Sequence, residues 1–185
     1  MNGTQTYFLN SPFYETDVFN FHSALRFYGN WSWLNADPSV LSTGEYPVFV
    51  VSERSANNSK GYYVGIQQGS PKGFHMGYKS NTQVIASQFN NTTNVGINAY
   101  NADESPLIHR AHRYASGAMS TAILKYGAID SDLDLSTGGS PQSGQGRIGK
   151  GYDNNGFNGL ISEVIIYNRV LGAIVPFFCV FDSNS

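Results

Sequence analysis

Short apolar and aromatic runs recur along the whole chain, each closed within a few residues by Gly, Asn, Asp, Ser or Pro, and no segment keeps a helical period. Ala24 to Phe27 runs into Gly29-Asn30, Trp31 to Leu34 into Asn35-Ala36-Asp37-Pro38, Pro47 to Glu53 into a polar loop, and Tyr62 to Gln67 into Gln68-Gly69-Ser70-Pro71. Phe74 to Tyr78, Thr82 to Gln88, Val95 to Tyr100, Leu107 to Tyr114 and Thr121 to Tyr126 continue the habit, before a Gly- and Ser-rich loop from Ser136 to Gly146 and a short strand from Arg147 to Gly149. Such spacing predicts short antiparallel strands folded as a sandwich, not βαβ units. The nine residues LISEVIIYN are so apolar that they are expected in the middle of a sheet. With 20 Gly, 12 Tyr and 12 Phe but only 13% charged residues among 185, the composition suits strands and tight turns rather than charged helices.

The same composition excludes several function classes. A net charge of -2 with scattered Lys and Arg provides no footprint for phosphates, so nucleic acid is not an expected partner. No run is long and apolar enough for a membrane-spanning helix, and the N-terminus MNGTQTYFLNSPFYETDVF reads as no classical signal peptide. Cys179 is the lone cysteine, expected as a small buried hydrophobe, so no intramolecular disulfide forms.

The C-terminal third carries a longer pattern. RIGKGYDNNGFNGLISEVIIYNRVL resembles the signature of laminin-G-like, concanavalin A-like domains, in which an "IG" strand end precedes a Gly, Asp and Asn turn and then "F-x-G-x-I-x-E-V-x-I-Y-N-R-x-L". The matching residues run from Ile148 and Gly149 through Phe157, Gly159, Ile161 and Glu163 to Tyr167, Asn168, Arg169 and Leu171. Two weaker matches precede it in the family's order, ALRFYGNWSWLNADPSVLSTGEYPVFVV and HRAHRYASGAMSTAILKYGAI. The resemblance implies an all-β chain, an antiparallel β-sandwich of the jelly-roll type. It implies an arm or edge strand over residues 1–22, the sandwich over 23–171 and an apolar tail over 172–185, where the chain departs from the family. The tail, which opens with GAIVPFFCVF, is expected either to pack across the sandwich or, through residues 172–181, to contact a neighbouring subunit in a homo-oligomer or larger assembly.

Glycosidases of related fold need paired carboxylates, but Glu15-Thr16-Asp17 is followed by Asn20 where a second Glu is required, and Glu53 and Glu163 are isolated. Asp130, Asp132 and Asp134 alternate as on the wet face of a strand and lack the glycine and glutamate of an EF-hand loop. His109 and His112, three residues apart on a strand, point to opposite faces and hold no common metal. A sugar site needs a planar apolar face with amide and carboxylate partners for hydroxyls. Trp31, Trp33, Tyr62, Tyr63, Tyr78 and Tyr152 are the available rings, with Asp153, Asn154, Asn155 and Asn158 as polar partners; Tyr152 and its loop are the leading candidate. Asp153 and Asn155 also supply oxygens that could hold calcium. No other cofactor is expected.

The sequence therefore predicts a non-catalytic recognition or assembly module that binds a glycan or a surface protein, at work on a virion or an extracellular surface as a decoration, fibre or adhesin subunit. The alternative is a glycan-cleaving enzyme of the same fold.

Overall fold

A computed structural model describes residues 11–19, 21–41, 44–55, 60–67, 73–87, 94–97, 106–125, 128–134, 145–151 and 153–167. Among these are thirteen strands: β1 (Phe13–Phe19), β2 (His22–Tyr28), β3 (Leu34–Ala36), β4 (Tyr46–Arg54), β5 (Gly61–Gln67), β6 (Phe74–Ser80) and β7 (Gln83–Ser87), then β8 (Asn94–Ile97), β9 (Leu107–Arg113), β10 (Met119–Lys125), β11 (Ala128–Asp134), β12 (Gln145–Ile148) and β13 (Asn158–Ile166). They form a seven-stranded sheet, β1-β2-β13-β4-β9-β10-β11, and a six-stranded sheet, β3-β12-β5-β6-β7-β8. Neighbouring strands pair antiparallel throughout.

The period-2 alternation of each strand puts one set of side chains between the sheets. In β4 Val48 and Val50 are fully buried, while Phe49 and Val51 on the other face are half-buried. The apolar β13 sits between β2 and β4, as its composition requires. Aromatic rings fill the middle: Tyr63 meets Tyr78 and Phe157 edge-on at 6.1 and 5.3 Å, and the Arg54 guanidinium lies 4.1 Å above the Tyr78 ring.

One polar chain crosses this core and ties the sheets together. His109 of β9 is fully buried, with Nδ1 against the Tyr63 hydroxyl of β5 in the opposite sheet and Nε2 2.5 Å from Thr121 Oγ1 of β10. Thr121 donates its only hydroxyl proton to the Arg110 carbonyl, 3.2 Å away. Its oxygen therefore accepts from His109 Nε2–H, and Nδ1 accepts from Tyr63. Every group is satisfied by a neutral imidazole, and burial pushes the His109 pKa down to about 3. His112 points to the other face of β9, 3.4 Å from Glu45, as alternation predicts.

The structure corrects two boundaries. Trp31 ends a 3-10 turn, Gly29–Trp31, and the strand expected to begin there starts at Leu34. The backbone N–H of Tyr28 donates to Ser32 Oγ at 2.6 Å, so a side chain takes the donor that a continuing ladder would have used. Gln145 and Gly146, read as the end of a loop, are the first residues of β12. Residues 1–10 and the tail from 168 onward lie outside the described residues, as do the side chains of Asp130, Asp132 and Asp134 on β11.

Candidate functional site

Three connections cross between the sheets at one end of the sandwich. The 3-10 turn carries the chain from β2 to β3, residues 55–60 carry it from β4 to β5, and residues 149–157 carry it from β12 to β13. Backbone bonds join them: Gly29 N–H donates to the Phe157 carbonyl at 2.9 Å, and Ser55 N–H to the Asn158 carbonyl at 3.0 Å.

The 149–157 turn is a narrow, anchored hairpin. Gly149 N–H donates to the Tyr63 carbonyl, Phe157 N–H to the Gly149 carbonyl and Gly151 N–H to the Asn155 carbonyl, all at 2.8 to 2.9 Å. Phe157 is fully buried and plugs the turn into the core. Glycine is required at two approaches: a Cβ on Gly65 would lie 2.6 Å from the Gly151 Cα, and one on Gly156 would lie 2.6 Å from the Asn30 amide nitrogen and closer still to the Gly29 carbonyl. Gly156 N–H donates to Asn30 Oδ1 at 2.5 Å, fastening the hairpin to the 3-10 turn.

On this frame the predicted residues separate into groups. Trp31 is 76% exposed at the end of the 3-10 turn. Trp33 is half-buried, with the Lys150 ammonium 4.2 Å over its ring and that ammonium 3.4 Å from the Asn30 carbonyl. Asp153 and Asn154 are exposed at the hairpin tip; Asp153 Oδ1 accepts from Asn155 N–H at 3.2 Å, and Asn154 takes a left-handed φ of 66°. Asn158 is the first residue of β13, paired with Tyr28, so its backbone belongs to the sheet. Tyr152 lies outside the described residues.

Three of the rings named from sequence are no platform. Tyr62, Tyr63 and Tyr78 are buried at 2% exposure or less, Tyr62 stacked on His75 at 4.0 Å and the other two inside the core. The carboxylates named for catalysis are also separated: Glu15 makes a bidentate ion pair with Arg26, while Glu163 is exposed on β13. Among the described residues no three His, Cys, Asp or Glu side chains gather as a metal site.

Sequence reasoning missed a row of polar side chains beside the turn. Asn35, Arg147 and Gly65 are in register across β3, β12 and β5, on the face turned away from the core because Ile148 and Val64 face inward. Gln145 Nε2 donates to Asn35 Oδ1 at 3.4 Å, and Arg147 donates to Gln145 Oε1 at 3.0 Å and to Asn154 Oδ1 at 2.9 Å. The missing side chain at Gly65 leaves room for Lys150 and Gly151 to lie on the sheet next to Arg147. The result is a shelf of amides and one guanidinium, continuous with the hairpin tip. Only the 110-residue separation between Asn35 and Gln145 hid it.

No protein-family model matches the sequence, and no curated protein matches it. Solved structures do. Domain 4 of AbnA, a GH43 extracellular arabinanase from Geobacillus stearothermophilus solved with arabinotriose, aligns with a TM-score of 0.62 at 14% identity, over 85% of this chain and 75% of that one. The fold is the concanavalin A-like jelly roll. The Ruminococcus gnavus IT-sialidase CBM40 aligns with this jelly roll at a TM-score of 0.56 and 11% identity, covering 81% and 92% of the two chains. Domains LG4-5 of the mouse laminin alpha1 chain align at 0.52 and 9% identity over 66% of the jelly-roll chain, which spans about a third of that fragment, 34%. The β-sandwich fold implied by the resemblance over Ile148 to Leu171 is thus the fold observed among the described residues, and no helix among them is long and apolar enough to cross a membrane.

Proposed function

We propose that this chain is a non-catalytic carbohydrate-binding module that works outside the cell, and that its site is the sandwich end built by Trp31, Trp33, Asp153, Asn154 and Asn155. The observation that carries the reading is that Gly156 N–H, donating to Asn30 Oδ1, fastens the hairpin with its exposed Asp153 and Asn154 to the 3-10 turn whose last residue, Trp31, is 76% exposed. An exposed ring stacks on a pyranose or furanose face, and amides satisfy hydroxyls in both directions. Structural relatives support it: one was solved with arabinotriose and another is a CBM40 domain. Tyr152 belongs to the same proposal by its place between Gly151 and Asp153. Asp153 Oδ1 accepts from Asn155 N–H, which leaves Oδ2 and the Asn155 side-chain oxygen as the oxygens that would hold a calcium ion.

The test is a glycan array probed with the labelled chain beside Trp31→Ala and Tyr152→Ala. Binding by the wild type that falls about tenfold or more in Trp31→Ala supports the site, since loss of one stacked ring is worth about that much. Binding unchanged in both variants, or none to any saccharide, rejects it.

A second reading, assembly on a virion or cell surface as a decoration, fibre or adhesin subunit, is favoured by the aromatic edge of the seven-stranded sheet. Phe13, Tyr14 and Phe21 are 64%, 69% and 88% exposed on the β1-β2 hairpin. Light scattering of the full chain beside a variant ending after Leu171 tests whether this edge or residues 172–181 assemble it: a full chain that stays monomeric rejects this reading.

A further inference from the structure

The seven-stranded sheet has an outer face, turned away from the core because Val48, Val50, His109 and Ala111 point inward. Residues opposite each other in register share a face, so its rows follow from the pairing. Ile165, Phe49, Arg110 and Ala122 make one row across β13, β4, β9 and β10, and Glu163, Val51, Ile108 and Leu124 make the next. The outer face of an antiparallel sheet is ordinarily polar where it meets water. In these rows only Glu163 and Arg110 are. Tyr167 widens the apolar patch: its ring meets Phe49 edge-on at 6.4 Å, its N–H donates to the Pro47 carbonyl at 3.1 Å, and it and Ile165 are each 38% exposed.

Arg110 is out of keeping with such a face. Its Nε is buried with no hydrogen-bond partner among the described residues. A guanidinium so placed costs stability until an acceptor reaches it, and a carboxylate is the strongest acceptor available to a protein. The chain carries a segment that fits both the apolar rows and the cation. The described residues end at Tyr167, on the border of the patch, and the sequence beyond it runs NRVLGAIVPFFCVFDSNS. In it an uncharged run from Gly172 to Phe181 leads directly to Asp182. Arg110 lies two strands from β13, about 10 Å at sheet spacing, and the stretch from Tyr167 to Asp182 can span several times that, so it has length enough to turn and cross.

We propose that residues 172–182 fold back over this outer face, the apolar run covering Phe49, Val51, Ile108 and Ile165 and Asp182 pairing with Arg110. The inference goes beyond the carbohydrate reading and gives residues 172–181 a place on their own chain instead of a neighbouring one.

Cys179, the lone cysteine, lies inside the run and reports on it. Its alkylation by N-ethylmaleimide in the full chain should be about 100-fold or more slower than in urea, because a covered thiol reacts only when the segment opens. Ile165→Asp, at an exposed position, should speed it about tenfold or more by setting a charge beneath apolar side chains. Arg110→Gln should speed it about two- to fivefold, and Asp182→Asn should do the same alone but add nothing in the Arg110→Gln background, as a direct pair requires. Circular dichroism confirms that each variant keeps its sheets, and two variants on separate strands keep the test decisive if one unfolds. Alkylation in the full chain as fast as in urea overturns the inference, and so does protection indifferent to both Ile165→Asp and Arg110→Gln. Protection that fades on dilution, as light scattering shows a dimer becoming a monomer, also overturns it and assigns the face to the tail of a second copy. None of these outcomes depends on a sugar, so failure here leaves the carbohydrate reading standing.

Discussion

Lowering the pH from about 7 to about 4.5 should destabilise the sandwich through one buried ring. His109 is neutral in the fold because Nδ1 is occupied by the Tyr63 proton and Nε2–H is given to Thr121, and its folded pKa of about 3 lies below the ordinary 6.5. A folded pKa depressed in this way leaves stability at full value above 6.5 and removes it as pH falls toward 3, because only the unfolded chain takes up the proton. Each pH unit in that window costs about 1.4 kcal/mol, so acidification to about pH 4.5 costs about 3 kcal/mol, a large share of a domain's typical 5–15 kcal/mol. Urea unfolding followed by tryptophan fluorescence, at both pH values, measures the loss. Other groups also titrate there, so the diagnostic quantity is the difference between wild type and His109→Gln, which can donate and accept but not titrate. The variant should be less stable at pH 7, yet lose about 3 kcal/mol less than wild type on acidification. Parallel losses in the two proteins would refute the assigned chain of donors. So would a His109 ring resonance that titrates near pH 6 in the folded state.

Other substitutions probe the turn and the edge. Phe157→Ala should cost about 4 kcal/mol in chemical denaturation, because its ring is fully buried between Tyr63 and Tyr78 and the resulting cavity lies at the root of the hairpin. Gly156→Ala should cost about 2 kcal/mol by the same measurement, since its methyl would meet the Gly29 carbonyl. At the β1-β2 tip Phe21 is strained at a φ of 66° and buries almost nothing. Phe21→Asn, a residue at ease in that conformation, should raise the midpoint of unfolding by the equivalent of about 0.5–1 kcal/mol. A drop instead would indicate that the ring has an unrecognised contact.

Much of the frame was legible because alternation survives in sequence. Val48 and Val50 against Phe49 and Val51 define the inward face of β4 without knowledge of its partners, and the unbroken apolar run of β13 calls for a central place. Ile148 to Leu171 named the fold, since its glycines and Phe157 follow from how the turn must pack. Trp31 misled because aromatics favour strands, whereas the Ser32 hydroxyl captures the Tyr28 amide and prolongs the turn. The tyrosines of β5 and β6 misled for a related reason. Inward and outward rings look alike in sequence, and register shifts between Tyr62 and Val64, and between Tyr78 and Ser80, interrupt simple counting. The Asn35, Gln145 and Arg147 shelf depends on the register of β3 against β12, and that register is fixed by the whole sandwich and by neither segment alone.

The crowding of backbone on backbone at Gly65 and Gly156 has a consequence for how such a protein can diversify. Where main chain rests against main chain, no side chain can be tried, so those positions are closed to variation without moving a strand. The hairpin tip from Asp153 to Asn155 has no such restraint and faces water on its outer side. Selection or a designed library can therefore rewrite the surface proposed to meet a ligand while the foundation beneath it stays the same, and new specificities should arise from the tip before they arise anywhere else in the turn.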